Sequence, residues 1–141
     1  MLFGNYKHSI DKKGRVSIPA KFREELGESF MLCLDYTGSN CLRAYSLEAW
    51  EKLSEQIAQL PNVKSTKARR FLFGNAFNVE LDSLGRVLIP ATLRGQANLE
   101  SEAQIVGVNG YLEIWNTELW AQENEITTSE SVAQIMEELN F

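Results

Sequence analysis

The stretch DKKGRVSIPAKFR at residues 11–23 recurs as DSLGRVLIPATLR at residues 82–94, with 8 of the 13 positions identical. The flanks repeat as well, because the Phe-Gly-Asn of residues 3–5 matches residues 73–75. The copies are 70 to 71 residues apart, so the order of elements is kept while loop lengths differ slightly. Self-similarity at a fixed spacing is typical of a repeated structural unit. We therefore predict that each half of the chain is one copy of the same unit.

Each copy is predicted to open with a hairpin. Short segments at 5–10 and 75–81 have the pattern of strands, and an Asp-x-x-Gly-Arg turn and a β-branched run follow each of them. In such a turn the aspartate accepts hydrogen bonds from nearby backbone amides, and the glycine supplies a positive φ. We assign these structural roles to Asp11, Gly14, Asp82 and Gly85. The residues between them then lie at an outward-pointing tip.

The remainder of each copy has the pattern of two strands and two helices. A short helix is predicted after each Ile-Pro, strands at 30–34, 42–45, 103–108 and 111–115, and a further helix that begins at Ser46 or Asn116. The fold class is therefore mainly β with short helices. We divide the chain into a first repeat (1–62), a basic connecting helix (63–72), a second repeat (73–122) and an acidic C-terminal helix (123–141), with the two repeats forming one compact unit.

The composition is that of an ordinary globular domain, with 141 residues of which 44% are hydrophobic and 23% charged. The longest apolar stretch, 30–34, is far shorter than the roughly 20 residues that span a bilayer, and the first residues do not have the pattern of a secretory leader, so we expect none. We expect a cytoplasmic protein with no membrane partner. Two cysteines and one histidine are too few for a disulfide framework or the usual zinc ligand sets. No metal, cofactor or small-molecule ligand is predicted.

Charge is distributed unevenly, although the net charge is −5. Residues 1–94 carry all 14 Lys and Arg residues against 10 acidic ones, whereas residues 95–141 carry 9 acidic residues and no basic one. Within the first 23 residues, six basic side chains face the single acid Asp11. A positive patch is therefore available for a nucleic acid despite the acidic total. The alternative is that the charges only keep the protein soluble.

Several features of the chain occur together in one known family. They are the two Asp-x-x-Gly-Arg turns in register, the Ile-Pro after each, the opening Phe3-Gly4, the Arg69-Arg70 link and the strand LEIW at 112–115. At these residues the chain resembles the MraZ family. The resemblance implies a double-split, swapped-hairpin β-barrel, built from two tandem AbrB-like repeats related by a pseudo-two-fold axis. It also implies a bacterial, nucleoid-associated transcription regulator of the cell-division and cell-wall gene cluster, which binds direct repeats in its own promoter as a homo-oligomeric ring.

The resemblance assigns contact with double-stranded promoter DNA to Arg15 and Arg86. The chemistry of the residues agrees, because an arginine after a turn can offer its planar fork to a phosphate or to the O6/N7 edge of guanine. Phosphate contacts that position the protein without reading sequence are predicted for Lys12 and Lys13, and Lys7 is also predicted to contact DNA. The second turn has Ser83 and Leu84 instead of lysines, so the copies are predicted to be unequal.

Three alternatives remain open at this point. Arg15 and Arg86 could pair with the aspartate of their own turn and only lock it, and Arg86 in particular could mainly hold structure. Arg23 and Arg94 could bridge the copies or contact phosphate. The apolar stripe near the C-terminus must be covered by its own domain or by a neighbouring chain; it consists of Val132, Ile135, Met136 and Leu139.

Catalysis is not predicted. Two aspartates related by a pseudo-two-fold axis are similar to the pair of an aspartic protease, but those carboxylates are followed by small residues. Here lysines, or a serine and a leucine, follow them. No phosphate-binding loop or nucleophile motif occurs elsewhere. The alternative function is a ring-forming protein-interaction module without specific DNA binding.

Overall fold

The computed structural model describes residues 1–140, in which the order of strands and helices in the first half of the chain recurs in the second. The first half contains β1 (Leu2–Ser9), β2 (Arg15–Ser17), α1 (Ala20–Leu26), β3 (Ser29–Leu34), β4 (Cys41–Ser46), α2 (Leu47–Ala58) and α3 (Asn62–Gly74). The second half contains β5 (Phe77–Glu80), β6 (Arg86–Leu88), α4 (Ala91–Gln96), β7 (Glu102–Asn109), β8 (Leu112–Trp115), α5 (Thr117–Ile126) and α6 (Ser129–Glu137). The predicted mainly β fold with short helices is confirmed.

The strands form a six-stranded antiparallel sheet in the order β1-β7-β8-β4-β3-β5 and a separate two-stranded ribbon, β2-β6. The opening strand of each half pairs with a strand of the other half, β1 with β7 and β5 with β3. The ribbon also combines one strand from each half. The two halves are therefore interlocked. The pairing within residues 1–140 does not show a closed barrel, and the barrel remains a prediction.

The predicted opening hairpin is wrong as a pairing of neighbouring strands. The turn itself closes, because the Asp11 amide donates to the Arg15 carbonyl over 3.0 Å, but beyond it only an isolated bridge joins Ile10 to Val16. Strand β2 leaves its neighbour and pairs with β6 instead. That pairing places Val16 directly opposite Val87, and both side chains are fully buried in the core. Burial of apolar surface from both halves thus competes successfully with the local hairpin.

The main core lies on one face of the six-stranded sheet and draws residues from both halves. Among its buried members are Phe22 of α1 and Leu93 of α4, together with Phe30, Leu42, Ile105 and Ile114 of the sheet. The opposite face is covered by helices, with α2 and α3 packed on the first half and α5 on β7. Both cysteines are buried and free. Burial raises the pKa of the Cys33 thiol to about 12.

The helix starts predicted at Ser46 and Asn116 are confirmed. The Ser46 hydroxyl accepts from the Ala49 amide over 3.1 Å, and the Asn116 side chain accepts from the Leu119 amide over 3.0 Å. Each cap satisfies an amide that a helix leaves without a partner. Near the C-terminus the chain forms two helices, since α5 ends at Ile126 and Thr128 caps α6. No helix within residues 1–140 is both long and apolar enough to cross a membrane.

A buried ion pair that the sequence pattern does not reveal joins β4 to the loop after β3. The Arg43 Nε donates to the Asp35 Oδ1 over 2.8 Å, and the two side chains are 5% and 0% exposed. The guanidinium lies between the rings of Tyr36 and Tyr111, 4.1 Å from each centroid. Burial disfavours ionisation of Asp35, but hydrogen bonds from the Thr37 and Ser39 amides and from Arg43 outweigh it and lower its pKa.

Replacing Arg43 with methionine is expected to destabilise the protein by about 3–5 kcal/mol, because the Asp35 carboxylate is left buried without its cation. Denaturant unfolding followed by circular dichroism measures this change. Arg69→Met removes the same charge from an exposed position on α3 and should change the free energy of unfolding by less than about 0.5 kcal/mol. Equal stability of the two variants would show that the pair contributes nothing.

Candidate functional site

The aspartate of each Asp-x-x-Gly-Arg turn holds the backbone of that turn. The Asp11 Oδ1 accepts from the amides of Lys13 and Arg15 over 3.0 and 2.9 Å. In the second turn, Asp82 Oδ1 accepts from the amides of Leu84 and Arg86, both over 2.9 Å. The two turns therefore have the same hydrogen-bond pattern, although the residues at their tips differ in charge.

The same carboxylates also bind the arginine that ends each turn. The Arg15 Nε donates to Asp11 Oδ2 over 2.7 Å, and the Arg86 Nε donates to Asp82 Oδ2 over 2.9 Å. Both arginine side chains stay partly exposed, at 32% and 29%. Because each of these hydrogen bonds uses Nε, the terminal amino groups still have hydrogens to donate, although Arg86 Nη1 also lies 3.9 Å from the Asp11 carboxylate. Locking of the turn and contact with a ligand are therefore compatible roles for these arginines.

Both aspartates are ionised at neutral pH. The hydrogen bond from the Arg15 amide, together with the Arg15 side chain and the Lys13 amide, lowers the pKa of Asp11 to about 2. The Arg86 amide and side chain lower the pKa of Asp82 in the same way. Each carboxylate therefore stays charged and keeps its ion pair with the arginine over the whole physiological pH range.

The ribbon β2-β6 brings the two turns together on one surface. Arg15 lies opposite Leu88 and Ser17 lies opposite Arg86, while Val16 and Val87 point into the core. We name the outward side of this ribbon, formed by Arg15, Ser17, Arg86 and Leu88, the ribbon face. Arg86 Nη1 also lies 3.9 Å from the Asp11 carboxylate of the other half. The two arginines therefore belong to a single cluster of charges.

Backbone contacts fix the turns to each other. The Ile18 amide donates to the Gly85 carbonyl, and the Ile89 amide donates to the Gly14 carbonyl, each over 3.0 Å. Each half thus holds the turn of the other half through its glycine. The spacing of the turns is set by the backbone rather than by mobile side chains.

Arg23 and Arg94 bridge the two halves. The guanidinium of Arg23 lies against Gly85 and that of Arg94 lies against Gly14, so closely that a Cβ on either glycine would overlap it. The Arg23 Nε also donates to the Ile18 carbonyl over 2.7 Å. Of the two roles left open from the sequence, the geometry supports the bridge. Sequence reasoning accounted for the glycines by their positive φ and missed that they also make room for these arginines.

The three predicted lysines lie in two different places. Lys12 and Lys13 are exposed at the tip of the first turn, beside Arg15. Lys7 is exposed on β1, an edge strand of the six-stranded sheet, and is not part of the ribbon. At the second tip, Ser83 and Leu84 are exposed in the corresponding positions. The first turn is therefore the more positive of the two.

Within residues 1–140, one group of side chains has metal-ligand chemistry, namely Asp35, Cys41 and Glu113, whose ligand atoms lie within 4.8 Å of one another. The Asp35 carboxylate is already engaged by Arg43 and by the Thr37 and Ser39 amides. Burial raises the pKa of the Cys41 thiol, which keeps it protonated and a poor ligand. Cys41 packs with Val106 and Trp115, and the Glu113 carboxylate accepts from the Trp115 Nε1 over 3.0 Å, so each of the three residues has a structural role.

Gly14→Ala is expected to destabilise the protein by at least about 1–2 kcal/mol, because Gly14 has φ 93° and a methyl group there would also displace Arg94. Thermal and denaturant unfolding measure the change. Gly95→Ala is the matched control: this glycine lies in α4 with open space around it, so the substitution should be neutral or stabilising. A Gly14→Ala protein as stable as Gly95→Ala would contradict this account of the turn.

Comparison with known proteins agrees with the resemblance seen in the sequence. A family model described as MraZ protein matches the chain twice, at residues 1–71 and 72–140. Proteins named "Transcriptional regulator MraZ" are similar over the full length, with 49% identity to the one from Caldicellulosiruptor saccharolyticus and 43% to the one from Thermoanaerobacter sp., each with 100% of both chains covered. A third, from Acetivibrio thermocellus, is 45% identical over 96% of both chains.

These relatives confirm that the chain is a regulator of transcription and not an enzyme. Two matches of one model to successive halves also agree with the internal repeat found at residues 11–23 and 82–94. The chain belongs to the MraZ family of transcriptional regulators.

Proposed function

We propose that this transcription regulator binds double-stranded promoter DNA in a sequence-specific manner through the ribbon face. The observation that carries the proposal is the pairing of β2 with β6, which places Arg15 and Arg86 diagonally across the outward side of one ribbon. Each guanidinium is oriented by an aspartate through Nε and retains its terminal amino groups. Such a side chain loses little conformational freedom when it donates to a phosphate or to a guanine.

The shape of the ribbon supports the same partner. A two-stranded β-ribbon fits the major groove, where each base pair presents a distinct pattern of donors and acceptors. Lys12 and Lys13 flank Arg15 at the tip of the first turn and would contact the phosphates on that side. Lys7, on β1, would add a more distant phosphate contact. The acidic residues of the region 95–141 would face away from the DNA and limit nonspecific binding.

We further propose the architecture and targets that the family implies. The interlocked halves are two AbrB-like repeats related by a pseudo-two-fold axis, and their exchanged strands support a double-split barrel. The regulated DNA is the promoter of the cell-division and cell-wall gene cluster, upstream of the protein's own gene, where direct repeats are bound. The place of action is the cytoplasm, in association with the nucleoid.

Self-association into a ring would make this binding effective. Within residues 1–140 the apolar stripe of α6 is uncovered, with Ile135 exposed at 61% and Val132 at 42%. A second copy of the chain that covers this stripe would remove it from water. Identical ribbon faces on successive repeats then gain avidity of about 10²- to 10⁴-fold without new contacts. This gain offsets the small number of positive groups on one chain.

Arg15→Ala is expected to weaken binding to the upstream DNA by about tenfold or more, since a bidentate contact is worth ~1–3 kcal/mol. Arg15→Lys should lose most of the same affinity, because it keeps the charge but not the fork. Fluorescence anisotropy at two salt concentrations, with scrambled DNA of equal length as competitor, measures the effect. Arg69→Ala removes one exposed arginine from α3 and should bind like wild type.

A loss of solubility or assembly in Arg15→Ala, with unchanged affinity per folded complex, would show that the arginine only locks its turn. Wild-type protein that binds both DNAs equally, or neither, would favour the protein-interaction module.

Ile135→Asp is expected to reduce the size of the assembly, because it places a charge in the contact we propose for α6. Sedimentation velocity on the full chain measures the mass against the 16.0 kDa of one copy. Gln134→Asp adds the same charge at a neighbouring exposed polar position and should leave the mass unchanged. Identical masses for the two variants would exclude α6 from the interface.

A further inference from the structure

The ribbon face departs from the symmetry of the two halves at one pair of positions. In the repeated stretch, Ser17 of the first copy corresponds to Leu88 of the second. The pairing of β2 with β6 places both side chains on the outward side of the ribbon, and Leu88 is 53% exposed there. Leu88 therefore leaves about half of its apolar surface in water, directly opposite Arg15. Its apolar surface is free to contact a partner.

The register of the ribbon assigns each arginine a different neighbour. Arg15 lies directly opposite Leu88, whereas Arg86 lies directly opposite Ser17. Side chains in directly opposed positions have Cβ atoms about 4.5–5.5 Å apart. Successive bases on one DNA strand are about 3.4 Å apart along the helix axis. An arginine and its neighbour on the ribbon can therefore reach adjacent base pairs.

We propose that Leu88 is a specificity-determining residue that contacts the 5-methyl group of a thymine next to the base pair contacted by Arg15. This inference rests on the proposed DNA-binding function. The thymine methyl is the apolar group that the major groove presents, and aliphatic side chains recognise it by contact. Arg15 lies opposite Leu88, and Arg86 lies on the same face of the ribbon. Their positive charges favour DNA as the partner that contacts the exposed side chain of Leu88.

The proposal has a consequence for the binding site. Ser17, beside Arg86, carries a hydroxyl that can donate to or accept from any base pair, so it does not select thymine. The two halves of the ribbon face therefore read different sequences although their arginines are equivalent. The protein would distinguish the two directions along the duplex, and its binding site would not be palindromic.

The experiment replaces each thymine of the bound upstream DNA, one at a time and on either strand, with deoxyuridine, which removes only the methyl group. For the wild-type protein we expect one position at which affinity falls about fourfold, the value of burying one such group. Leu88→Ser should lose a similar factor on unmodified DNA and be insensitive to deoxyuridine at that position. The converse variant, Ser17→Leu, should gain sensitivity at a second thymine.

Leu47→Ser is the matched control, because Leu47 is 49% exposed on α2, which packs on β3 and β4. It should retain the wild-type response to deoxyuridine. Thermal unfolding of Leu88→Ser should match wild type, since the side chain is exposed.

Two kinds of failure can be told apart. The wild-type protein could bind DNA selectively and yet lose no affinity at any deoxyuridine position, or Leu88→Ser could lose as much affinity as wild type at the same position. Either result would overturn the assignment of Leu88 and leave the proposed function standing. Absence of selective DNA binding by the wild-type protein would overturn both.

Discussion

The pairing of β2 with β6 is the constraint on which the rest of this structure depends. Each strand is three residues long, and their central valines meet in the middle of the main core. Because the strands come from opposite halves, neither half can bury its valine without the other. The same pairing fixes the glycine of each turn through a backbone hydrogen bond from the other half. The strand pairing that completes the core is therefore the same pairing that places the two arginines.

The residues of the turns each serve more than one purpose, and this limits how they can vary. Asp11 accepts from two backbone amides and also holds the Arg15 side chain. Gly14 combines a positive φ with room for a guanidinium from the other half. An arginine that is both locked by an aspartate and partly exposed is oriented before any ligand arrives. Orientation of this kind lowers the entropic cost of binding.

The two halves share their backbone geometry but not their chemistry. The first turn carries two lysines, whereas the second carries a serine and an exposed leucine. On the ribbon face, one arginine stands beside a hydroxyl and the other beside an apolar side chain. A symmetric frame with unequal side chains would suit the promoter that we propose as partner, because a promoter has a direction. The acidic second half gives the same molecule its net charge of −5.

The sequence alone determined the repeat, most of the strand and helix positions, the two turns and the family. These features depend on local chemistry: the aspartate and glycine of a turn, the side chains that cap a helix, and the alternation of apolar residues. The candidate site residues Arg15, Arg86, Lys12 and Lys13 could also be named from the motif. Their assignment to DNA remains a proposal.

Only the tertiary structure decided which strands pair. The sequence favoured a local hairpin, but burial of Val16 against Val87 joined strands about 70 residues apart. The same long-range packing placed Leu88 opposite Arg15, seated Arg23 and Arg94 on the glycines of the opposite turns, and buried the pair of Asp35 and Arg43. Such contacts arise between residues far apart in the chain, where local periodicity carries no information, because they depend on how apolar surfaces from both halves fit together.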